Sequence, residues 1–567
     1  MSLEQLIKSA TDEGAIIDSR IKFEYTENSG ISAFILSNDN DTLSKEKPLT
    51  IDIPNSFIIK PQDAYNDLKI NENDLESTIA FKFYIAALKT GIIENSKFQS
   101  YIDLLPSIEQ IHSPLSLPEK SLYVYENTTL EESYIKEKIH LLKVEFNKGS
   151  KLISYIKFND YLWAHLITTS RAFPYRIINP TSKPHELMLL PIIDLLNHKP
   201  NSKVEWLSSD KNNFKISCID QLSNSDDIDD SKIEIFNNYG PKGNAELLMG
   251  YGFTLEENEY DSLQLSLSVN DEIKNGLSNL WNIHLPTISD YTFSINDDEE
   301  TEKTVAQNAG ENNKVIFLIN KFHPIPDGLL EVFCYISKNE DDKGMSLKNT
   351  MNGLNKLKQS LEIKYSNKLD KVPSFDKDLI DENDYNNAKT FRKGQLKIYN
   401  LTKNEIKNKE KQLLKEYRKS FITIKDIFKK DDELSEFLEI LQWKKDVSEL
   451  NKMEMELILR LWLLKNVNYY NEENVEAEFE NFDIKWFLEL FKFRKGLDNV
   501  GAAVSDDDFM VDLYNQIIPA FQNNVPEILK GDQWSLNDWL IIDQLVIDNS
   551  YEKGKSLEPL LITPTIL

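Results

Sequence analysis

The spacing of apolar residues changes several times along this chain of 567 residues, and these changes limit the folds that it can adopt. Near the start, the segments 31–36 and 49–53 are short, apolar and bounded by turn-forming residues, which is typical of strands in an antiparallel sheet. From residue 74 onward, Leu75, Ile79 and Phe83 recur at helical spacing. The pattern therefore predicts a β unit followed by a helical block that extends to about residue 167.

Strand character returns in the middle of the chain and is then replaced by a second helical region. The predicted strands lie at 187–193, 204–206, 214–219 and 232–236. Beyond about residue 271 the pattern is helical, with a long charged helix at 386–418 and a later apolar stripe formed by Leu457, Leu461 and Leu464. We expect an α+β fold in which a helical insertion interrupts a β-rich domain and an all-α domain follows it.

A chain of 65.8 kDa exceeds the size that one hydrophobic core usually supports, so several packed units are expected. The predicted segments are 1–73 and 168–270 for the two parts of the β-rich domain, 74–167 for the insertion, 271–430 for a helical domain and 431–567 for a helical extension. Two acidic stretches, 226–230 and 296–313, have the composition of loops.

Composition and charge exclude several classes of function. A formal net charge of -28 argues against direct nucleic-acid binding and suits a basic protein partner, although acidic soluble proteins are also common without one. The start MSLEQLIKSATDEG has no secretory or transit pattern, and no apolar run is long enough for a bilayer. We therefore expect a soluble cytoplasmic monomer without membrane contacts, with the nucleus left open as a second compartment.

Neither the cysteines nor the histidines have the spacing of a metal site. Cys218 and Cys334 form no CxxC motif, and the histidines form no HExxH motif. The stretch GPKGNAELLMG places a lysine between glycines but lacks the GxxxxGK[ST] spacing of a phosphate-binding loop. The sequence therefore predicts neither a metal centre nor a nucleotide triphosphate site.

Three segments are rich in chemically active residues: WAHLITTSRAFPY at 163–175, LPIIDLLNHKP at 190–200 and FNNYGPKGNAELLMGYGF at 236–253. Asn197 and His198 follow an apolar run, where an amide, an imidazole and free backbone groups suit a polar, nucleotide-like ligand. A lone histidine at a strand end is more often a structural residue, so the pair alone does not identify a site.

Taken together, these segments resemble the SET-domain methyltransferases, in the branch that contains Rubisco large-subunit methyltransferase and the fungal ribosomal-protein and elongation-factor lysine methyltransferases. That branch has a pseudoknot, a helical insertion within the SET domain and a helical substrate-binding domain after it. The resemblance implies an S-adenosyl-L-methionine-dependent protein-lysine N-methyltransferase that acts on a non-histone protein of the translation machinery. A SET-fold scaffold without catalysis is the alternative. Ser29 stands directly before Gly30, where the family usually has a basic residue, and Leu263 stands where some relatives have a second channel tyrosine.

The resemblance also assigns roles to individual residues. It implies that Tyr251 is catalytic and orients the lysine amine, whose pKa of about 10.4 must be lowered by an apolar channel. Tyr239, Gly240, Asn244 and Glu246 match the pseudoknot segment, and Trp206 and Phe253 are candidates for either the lysine channel or the core. The implied cofactor-binding residues are Gly30, Ile31, Ser170, Arg171, Asp194, Asn197, His198, Asn244 and Tyr251. Ser170 and Arg171 are equally compatible with a surface turn after a helix.

Overall fold

The fold is taken from a computed structural model of the chain. The structure describes residues 3–26, 30–36, 48–94, 96–208, 212–219, 232–286, 314–339, 342, 344–440, 446–472, 482–496, 508–524, 534–554 and 557–567. The two acidic stretches predicted to be loops, 226–230 and 296–313, lie outside the described residues, as does Ser29.

The described residues of the first half form three small sheets, and two of these sheets join strands from both sides of the helical insertion. One sheet has the order β1-β4-β8-β7, formed by Ile16–Ile17, Leu49–Ile53, Phe214–Ile219 and Lys203–Ser208. A second has the order β2-β3-β9, formed by Lys22–Thr26, Gly30–Leu36 and Lys232–Ile235, and the third pairs β5 (Ala172–Pro174) with β6 (Leu187–Leu189). The predicted interruption of a β-rich domain by helices is thus observed.

The antiparallel pairing of β4 with β8 shows why the alternating pattern forms a sheet. Ile51 lies opposite Ile216, and Leu49 lies opposite Cys218. All four of these side chains are buried, so one face of both strands is withdrawn from water. Cys218 therefore lies in the core of this sheet.

Helices cover these sheets. They are α1 (Leu3–Asp12), α2 (Pro61–Leu68), α3 (Ser77–Lys89), α4 (Gln99–Ile102), α5 (Glu132–Gly149) and α6 (Phe158–Arg171). The predicted apolar face of α3 is buried, and its Phe83 ring lies 5.6 Å from that of Phe146 and 4.8 Å from that of Tyr161. These ring contacts join α3, α5 and α6 into one layer.

The strand predicted at 187–193 is wrong in its second half, because β6 ends at Leu189. Pro191 cannot donate a backbone hydrogen bond, and Ile192 has φ 77° and ψ −50°, a turn conformation that a β-branched residue rarely adopts. The turn leads into a short 3-10 helix at Ile193–Leu195 that buries Asp194. A bend rather than a strand therefore precedes Asn197.

After α7 (Asn244–Tyr251) the chain is mostly helical but not all-α, which corrects that part of the prediction. Strand β10 (Ser262–Ser268) pairs with β11 (Lys314–Asn320), and α8 (Asp271–Trp281), α9 (Leu329–Ile336) and α10 (Leu347–Tyr365) share a hydrophobic core with this two-stranded sheet. Val315, Phe317 and Ile319 alternate and are buried, so the strand signal was present in the sequence. The long charged helix is confirmed as α11 (Glu382–Glu416).

The final part of the chain has its own hydrophobic core. Its elements are α12 (Ile424–Lys430), α13 (Asp432–Ile440), α14 (Lys452–Glu472), α15 (Lys485–Lys495), α16 (Asp508–Asn524) and α17 (Leu536–Asn549), with a sheet of order β12-β14-β13 formed by Phe421–Ile422, Glu558–Ile562 and Ser550–Lys553. The predicted stripe on α14 is buried in this core, together with Trp462 and Trp539. Within the described residues, no helix is long and apolar enough to cross a membrane.

Helix α11 connects the C-terminal half to the helical insertion through buried polar contacts. The guanidinium of Arg392 donates hydrogen bonds to the carbonyl oxygens of Val124 (3.0 Å) and Glu126 (2.6 Å). The side chain of Gln395 accepts a hydrogen bond from the backbone N–H of Thr129 at 3.0 Å. Because both side chains are almost fully buried, these contacts fix α11 against the insertion.

Candidate functional site

The structure places the Asn197–His198 pair directly beside the segment that follows β9. His198 and Asn237 form a parallel β-bridge. The backbone N–H of Asn237 donates to the carbonyl oxygen of Asn197 at 2.8 Å, and that of Lys199 donates to the carbonyl oxygen of Asn237 at 3.1 Å. Two of the sequence segments that carried the resemblance therefore meet through backbone hydrogen bonds.

The side chain of Asn197 connects this β-bridge to strand β3, which begins at Gly30. Its Nδ2 donates to Ser32 Oγ at 2.8 Å and to Glu234 Oε1 at 2.7 Å. Gly30, with φ +72°, opens the strand that contains Ile31 and Ser32, so these predicted residues lie within two positions of a direct partner of Asn197. Ser32 and Glu234 were not predicted, because nothing in their local sequence marks them as site residues.

Arg171 and Asp194 form an ion pair at the end of α6. The Nη1 of Arg171 donates to the carbonyl oxygen of Asp194 at 3.0 Å and to its Oδ2 at 3.2 Å. Tyr101, from α4 of the insertion, donates its hydroxyl to the same Oδ2 at 2.7 Å. The Oδ1 of Asp194 is buried and has no hydrogen-bond partner among the described residues. Tyr101 was not predicted, since it lies far away in sequence.

Three aromatic side chains from the predicted site stack in a column. The ring of His198 lies 4.8 Å from that of Tyr239 at an interplanar angle of 16°, and the ring of Tyr239 lies 4.9 Å from that of Tyr251 at 19°. Tyr239 donates its hydroxyl to the carbonyl oxygen of Leu196 at 3.0 Å, and its backbone N–H donates to His198 Nδ1 at 3.0 Å. The column thus joins His198 to Tyr251 through a tyrosine that is bonded at both ends.

The titration properties of this column follow from its burial. Burial lowers the pKa of His198 to about 4, with a further contribution from the charge of Lys242, so the imidazole is neutral at pH 7. Burial also raises the pKa of Tyr239 to about 12 and raises that of Tyr251 further. All three groups are therefore uncharged under physiological conditions.

Tyr251 is half-buried at the C-terminal end of α7. Phe253 contacts it edge-on with a centroid distance of 6.3 Å, and the Nζ of Lys242 lies 5.7 Å from the centre of its ring. Its hydroxyl makes no hydrogen bond to any residue in the described part of the chain. The tyrosine is thus held by its ring while its hydroxyl is available for a ligand.

Asn244, at the other end of α7, is fully engaged with protein groups. Its Nδ2 donates to the carbonyl oxygen of Leu255 at 2.9 Å and to Asp261 Oδ2 at 3.0 Å, and its Oδ1 accepts from the backbone N–H of Leu255 at 2.8 Å. This buried network fixes the start of the helix that ends at Tyr251. Asn244 is therefore separated by the length of the eight-residue helix α7 from Tyr251, which was predicted to belong to the same site.

A cavity of about 330 Å³ lies between the 255–261 loop and α11. Its walls include Asn244 and Asp261 from one side and Lys393 and Lys397 from the other. Tyr251 is not among the residues that line it. This cavity is consequently separate from the aromatic column.

The loop directly after Tyr251 is enclosed by the insertion and α11. Gly252 has φ +79°, and a Cβ atom at this position would lie 2.9 Å from the backbone nitrogen of His112. Asn387 of α11 donates its Nδ2 to the carbonyl oxygen of Gly252 at 3.3 Å. A glycine is therefore needed here both for its conformation and for the close approach of His112.

The side chains of Ser170, Trp206 and Leu263 make contacts within the protein. The hydroxyl of Ser170 donates to the carbonyl oxygen of Leu166, one turn earlier in α6, at 2.7 Å. Trp206 packs on Phe173 at a centroid distance of 5.0 Å. Leu263 is fully buried in β10, opposite Ile319, in the core of the C-terminal half.

Comparisons with known proteins agree with this geometry. A family model described as the EFM1 middle domain matches residues 290–417. Ribosomal lysine N-methyltransferase 1 of Saccharomyces cerevisiae is 28% identical over 540 residues, which cover 85% of this chain and 90% of the relative. Protein-lysine N-methyltransferase EFM1 of the same organism is 24% identical over 616 residues, which cover 99% of this chain and 97% of the relative.

Solved structures share the fold. Rubisco LSMT bound to AdoMet superimposes with a TM-score of 0.54 at 17% identity, covering 73% of this chain and 93% of the other. The chain thus shares the fold of these SET-domain structures and is similar in sequence, over most of its length, to the two yeast protein-lysine N-methyltransferases.

Proposed function

We propose that this chain transfers a methyl group from S-adenosylmethionine to a lysine side chain of a ribosomal protein or a translation elongation factor in the cytoplasm. The observation that carries the proposal is the column in which a neutral His198, Tyr239 and Tyr251 are stacked, with the hydroxyl of Tyr251 unbonded to the described residues. The names of the two yeast relatives supply the substrate class. A net charge of -28 favours the basic surface of a ribosomal protein.

The residues around the β-bridge between His198 and Asn237 fit the cofactor. Asp194 Oδ1 is a buried acceptor with no partner among the described residues, beside the guanidinium of Arg171. A cationic amine and a carboxylate on one ligand would complement these two groups. We assign cofactor binding to Gly30, Ile31, Ser170, Arg171, Asp194, Asn197, His198 and Tyr251, and a positioning role to Asn244. When bound, the cofactor would supply the methyl group on a positively charged sulfur.

The residues of the chain would orient the lysine amine and favour its neutral form. Phe253 and the rings of the column provide an apolar wall, where burial disfavours a lysine ammonium. The hydroxyl of Tyr251 would accept a hydrogen bond from the amine and align its lone pair. Its raised pKa keeps the hydroxyl protonated, so the tyrosine acts as an orienting group and not as the base.

Transfer of radiolabelled methyl groups into fractionated cell extract tests this proposal. We expect a labelled protein band with the wild-type chain and a loss of about 100-fold or more with Tyr251→Phe, because the amine loses its orienting partner. Tyr260→Phe is the matched control, since it also removes one tyrosine hydroxyl, one that is bonded to Asn201 at 3.1 Å. The control should keep its rate within about two-fold.

Calorimetric titration with S-adenosylmethionine separates the two possible failures. An Asn197→Ala, His198→Ala double variant should lose cofactor binding, while Tyr251→Phe should retain most of it. If wild-type protein binds the cofactor but labels no protein in any extract fraction, the result supports the alternative of a SET-fold binding protein without catalysis. If wild-type protein does not bind the cofactor, the proposed function is wrong.

A further inference from the structure

A half-buried contact between a histidine and a carboxylate connects the insertion to α11 close to Tyr251. The Nδ1 of His112 lies 2.9 Å from Asp384 Oδ1, and only 8% of the Asp384 side chain is exposed. His112 belongs to the insertion and Asp384 to the first turn of α11, so residues far apart in sequence meet here. Neither residue was selected by the sequence patterns, and the proposed methyl transfer does not use them.

The segment that contains His112 holds the end of α7 from one side. The Ser113 hydroxyl donates to the carbonyl oxygen of Met249, two residues before Tyr251, at 2.7 Å. The backbone of His112 fills the space beside Gly252, one residue after Tyr251. Any movement of this segment would therefore displace the backbone on both sides of Tyr251.

Helix α11 holds the same loop from the other side. Asn387, one turn after Asp384, donates to the carbonyl oxygen of Gly252 at 3.3 Å and accepts from the hydroxyl of Thr254 at 2.9 Å. The His112–Asp384 contact thus closes a ring of interactions that runs from α11 through the insertion to Gly252 and back to α11. Rings of this kind restrict the loop more than separate contacts do.

We propose that His112 and Asp384 form a positioning pair that sets the alignment of Tyr251 for methyl transfer, and that it couples the helical domain to the catalytic loop. The inference rests on the proposed function. Neither residue contacts the reacting atoms, so both act through the placement of the loop at 252–254. A displacement of even 1 Å at a reacting group can lower a rate about 100-fold.

The pair should act most strongly when His112 is protonated. The groups that face its imidazole are Asp384 and Asp381, both from the start of α11, and the Tyr125 hydroxyl lies near Asp384. The hydrogen bond to Asp384 raises the pKa of His112 above its ordinary value of 6.5. Because the pKa is raised in the folded state, the stabilisation is complete below about pH 6.5 and is lost as the pH rises through the folded-state value.

Two variants and one control test the pair. His112→Ala removes the contact, whereas Asp384→Asn retains a hydrogen bond to the neutral imidazole but no attraction for the cation. Gln395→Leu is the matched control, because it removes another buried hydrogen bond between α11 and the insertion, to Thr129, without touching the loop at 252–254. Full-length protein is used throughout, with kcat, KM and hydrogen exchange as readouts.

We expect His112→Ala to lower kcat about ten-fold or more, with KM for the cofactor nearly unchanged. The ratio of kcat between wild type and Asp384→Asn should be largest below pH 6.5 and fall at higher pH; deprotonation of the substrate amine cancels in this ratio. Exchange of the Gly252 amide, which donates to the Leu248 carbonyl oxygen at 3.1 Å, should accelerate several-fold in His112→Ala but not in Gln395→Leu.

The outcomes distinguish this inference from the proposed function. If wild type transfers methyl groups and both variants match it in kcat, the positioning role is refuted and the proposed function stands. Equal effects of Gln395→Leu on kcat and on Gly252 exchange would also refute it, because the contribution would then be general stability. Wild-type protein that transfers no methyl group would refute the proposed function, and the exchange measurement would still decide whether the pair holds the loop.

Discussion

Asp261 accepts a 2.6 Å hydrogen bond from the backbone N–H of Asn244, so its carboxylate caps the helix that ends at Tyr251. The same carboxylate lies against α11, where a Cβ atom on Gly394 would clash with Asp261 Oδ2. Burial raises the pKa of Asp261 to about 6 in spite of its hydrogen bonds to Asn244. The start of the helix that ends at Tyr251 is therefore attached to a carboxyl group that titrates close to neutral pH.

Asp261 should make the stability of the protein depend on pH. Its pKa is about 6 in the folded protein against 3.8 for the free side chain, so between these values the folded state binds more protons and stability falls as the pH rises. We expect the unfolding free energy of wild type, relative to Asp261→Asn, to fall by roughly 2 to 3 kcal/mol from pH 3.5 to pH 7. Urea denaturation at several pH values measures this difference, and a flat or rising difference would contradict the prediction.

Tyr239 should contribute to the site through both its ring and its hydroxyl. Tyr239→Phe keeps the stacking on His198 and Tyr251 but loses the hydrogen bond to the Leu196 carbonyl oxygen, which should cost about 1 kcal/mol. Tyr239→Leu should cost about 1 kcal/mol more because the ring contacts are lost as well. Chemical denaturation measures the stability, and methyl transfer should fall further for the leucine variant. Equal effects of the two variants would argue against a role for stacking.

Gly252 and Gly250 offer a matched pair of alanine substitutions. Gly252→Ala places a side chain in a left-handed conformation and against the backbone of His112, so we expect a loss of about 2 kcal/mol or more and a lower kcat. Gly250 lies within α7, and a Cβ atom there meets nothing within 4 Å. Gly250→Ala should be neutral or stabilising by up to about 1 kcal/mol. Thermal and urea unfolding of both variants test the contrast, and equal effects of the two substitutions would contradict it.

The C-terminal extension should depend on one buried ion pair. Arg460 Nε lies 2.7 Å from Asp543 Oδ1, and both side chains are only 10% exposed. Arg460→Met leaves an uncompensated buried carboxylate, so we expect a loss of about 3 to 5 kcal/mol. The Arg460→Met, Asp543→Leu double variant should recover most of this loss in urea unfolding.

A surface ion pair of the same extension serves as the control. Lys452 lies 2.6 Å from Glu552, with 42% and 36% of the two side chains exposed. Lys452→Ala should change stability by less than about 1 kcal/mol. If Lys452→Ala lowers stability as much as Arg460→Met, burial does not explain the contribution of the Arg460–Asp543 pair.

Much of the architecture was predictable because its causes are local in sequence. The alternation at 49–53, the helical face around Phe83 and the stripe on α14 all identify elements that bury one apolar face. The prediction failed where two local signals conflicted or where a strand signal lay within a mostly helical region. The apolar run at 187–193 reads as a strand, but Pro191 and the turn at Ile192 end it early, and β11 formed in a region otherwise rich in helices.

The site was predictable only in part. Tyr251, Asn197 and His198 lie in distinctive short segments, and the structure brings those segments together. Their direct partners have no such signature: Ser32, Glu234 and Tyr101 reach the site from other strands and from the insertion. The roles of the predicted cofactor residues remain predictions that the proposed binding experiments test.

The sequence by itself determined the order of strands and helices, the interrupted β-rich domain and the short segments that carry the chemistry, because each depends on residues that are close along the chain. Only the tertiary structure decided which side chains meet: the stacking of Tyr239 on Tyr251, the engagement of Asn244 by Asp261 and the contact of His112 with Asp384. These contacts join segments separated by up to 272 residues. Such pairings follow from how the apolar faces of all elements pack at once, which no local pattern records.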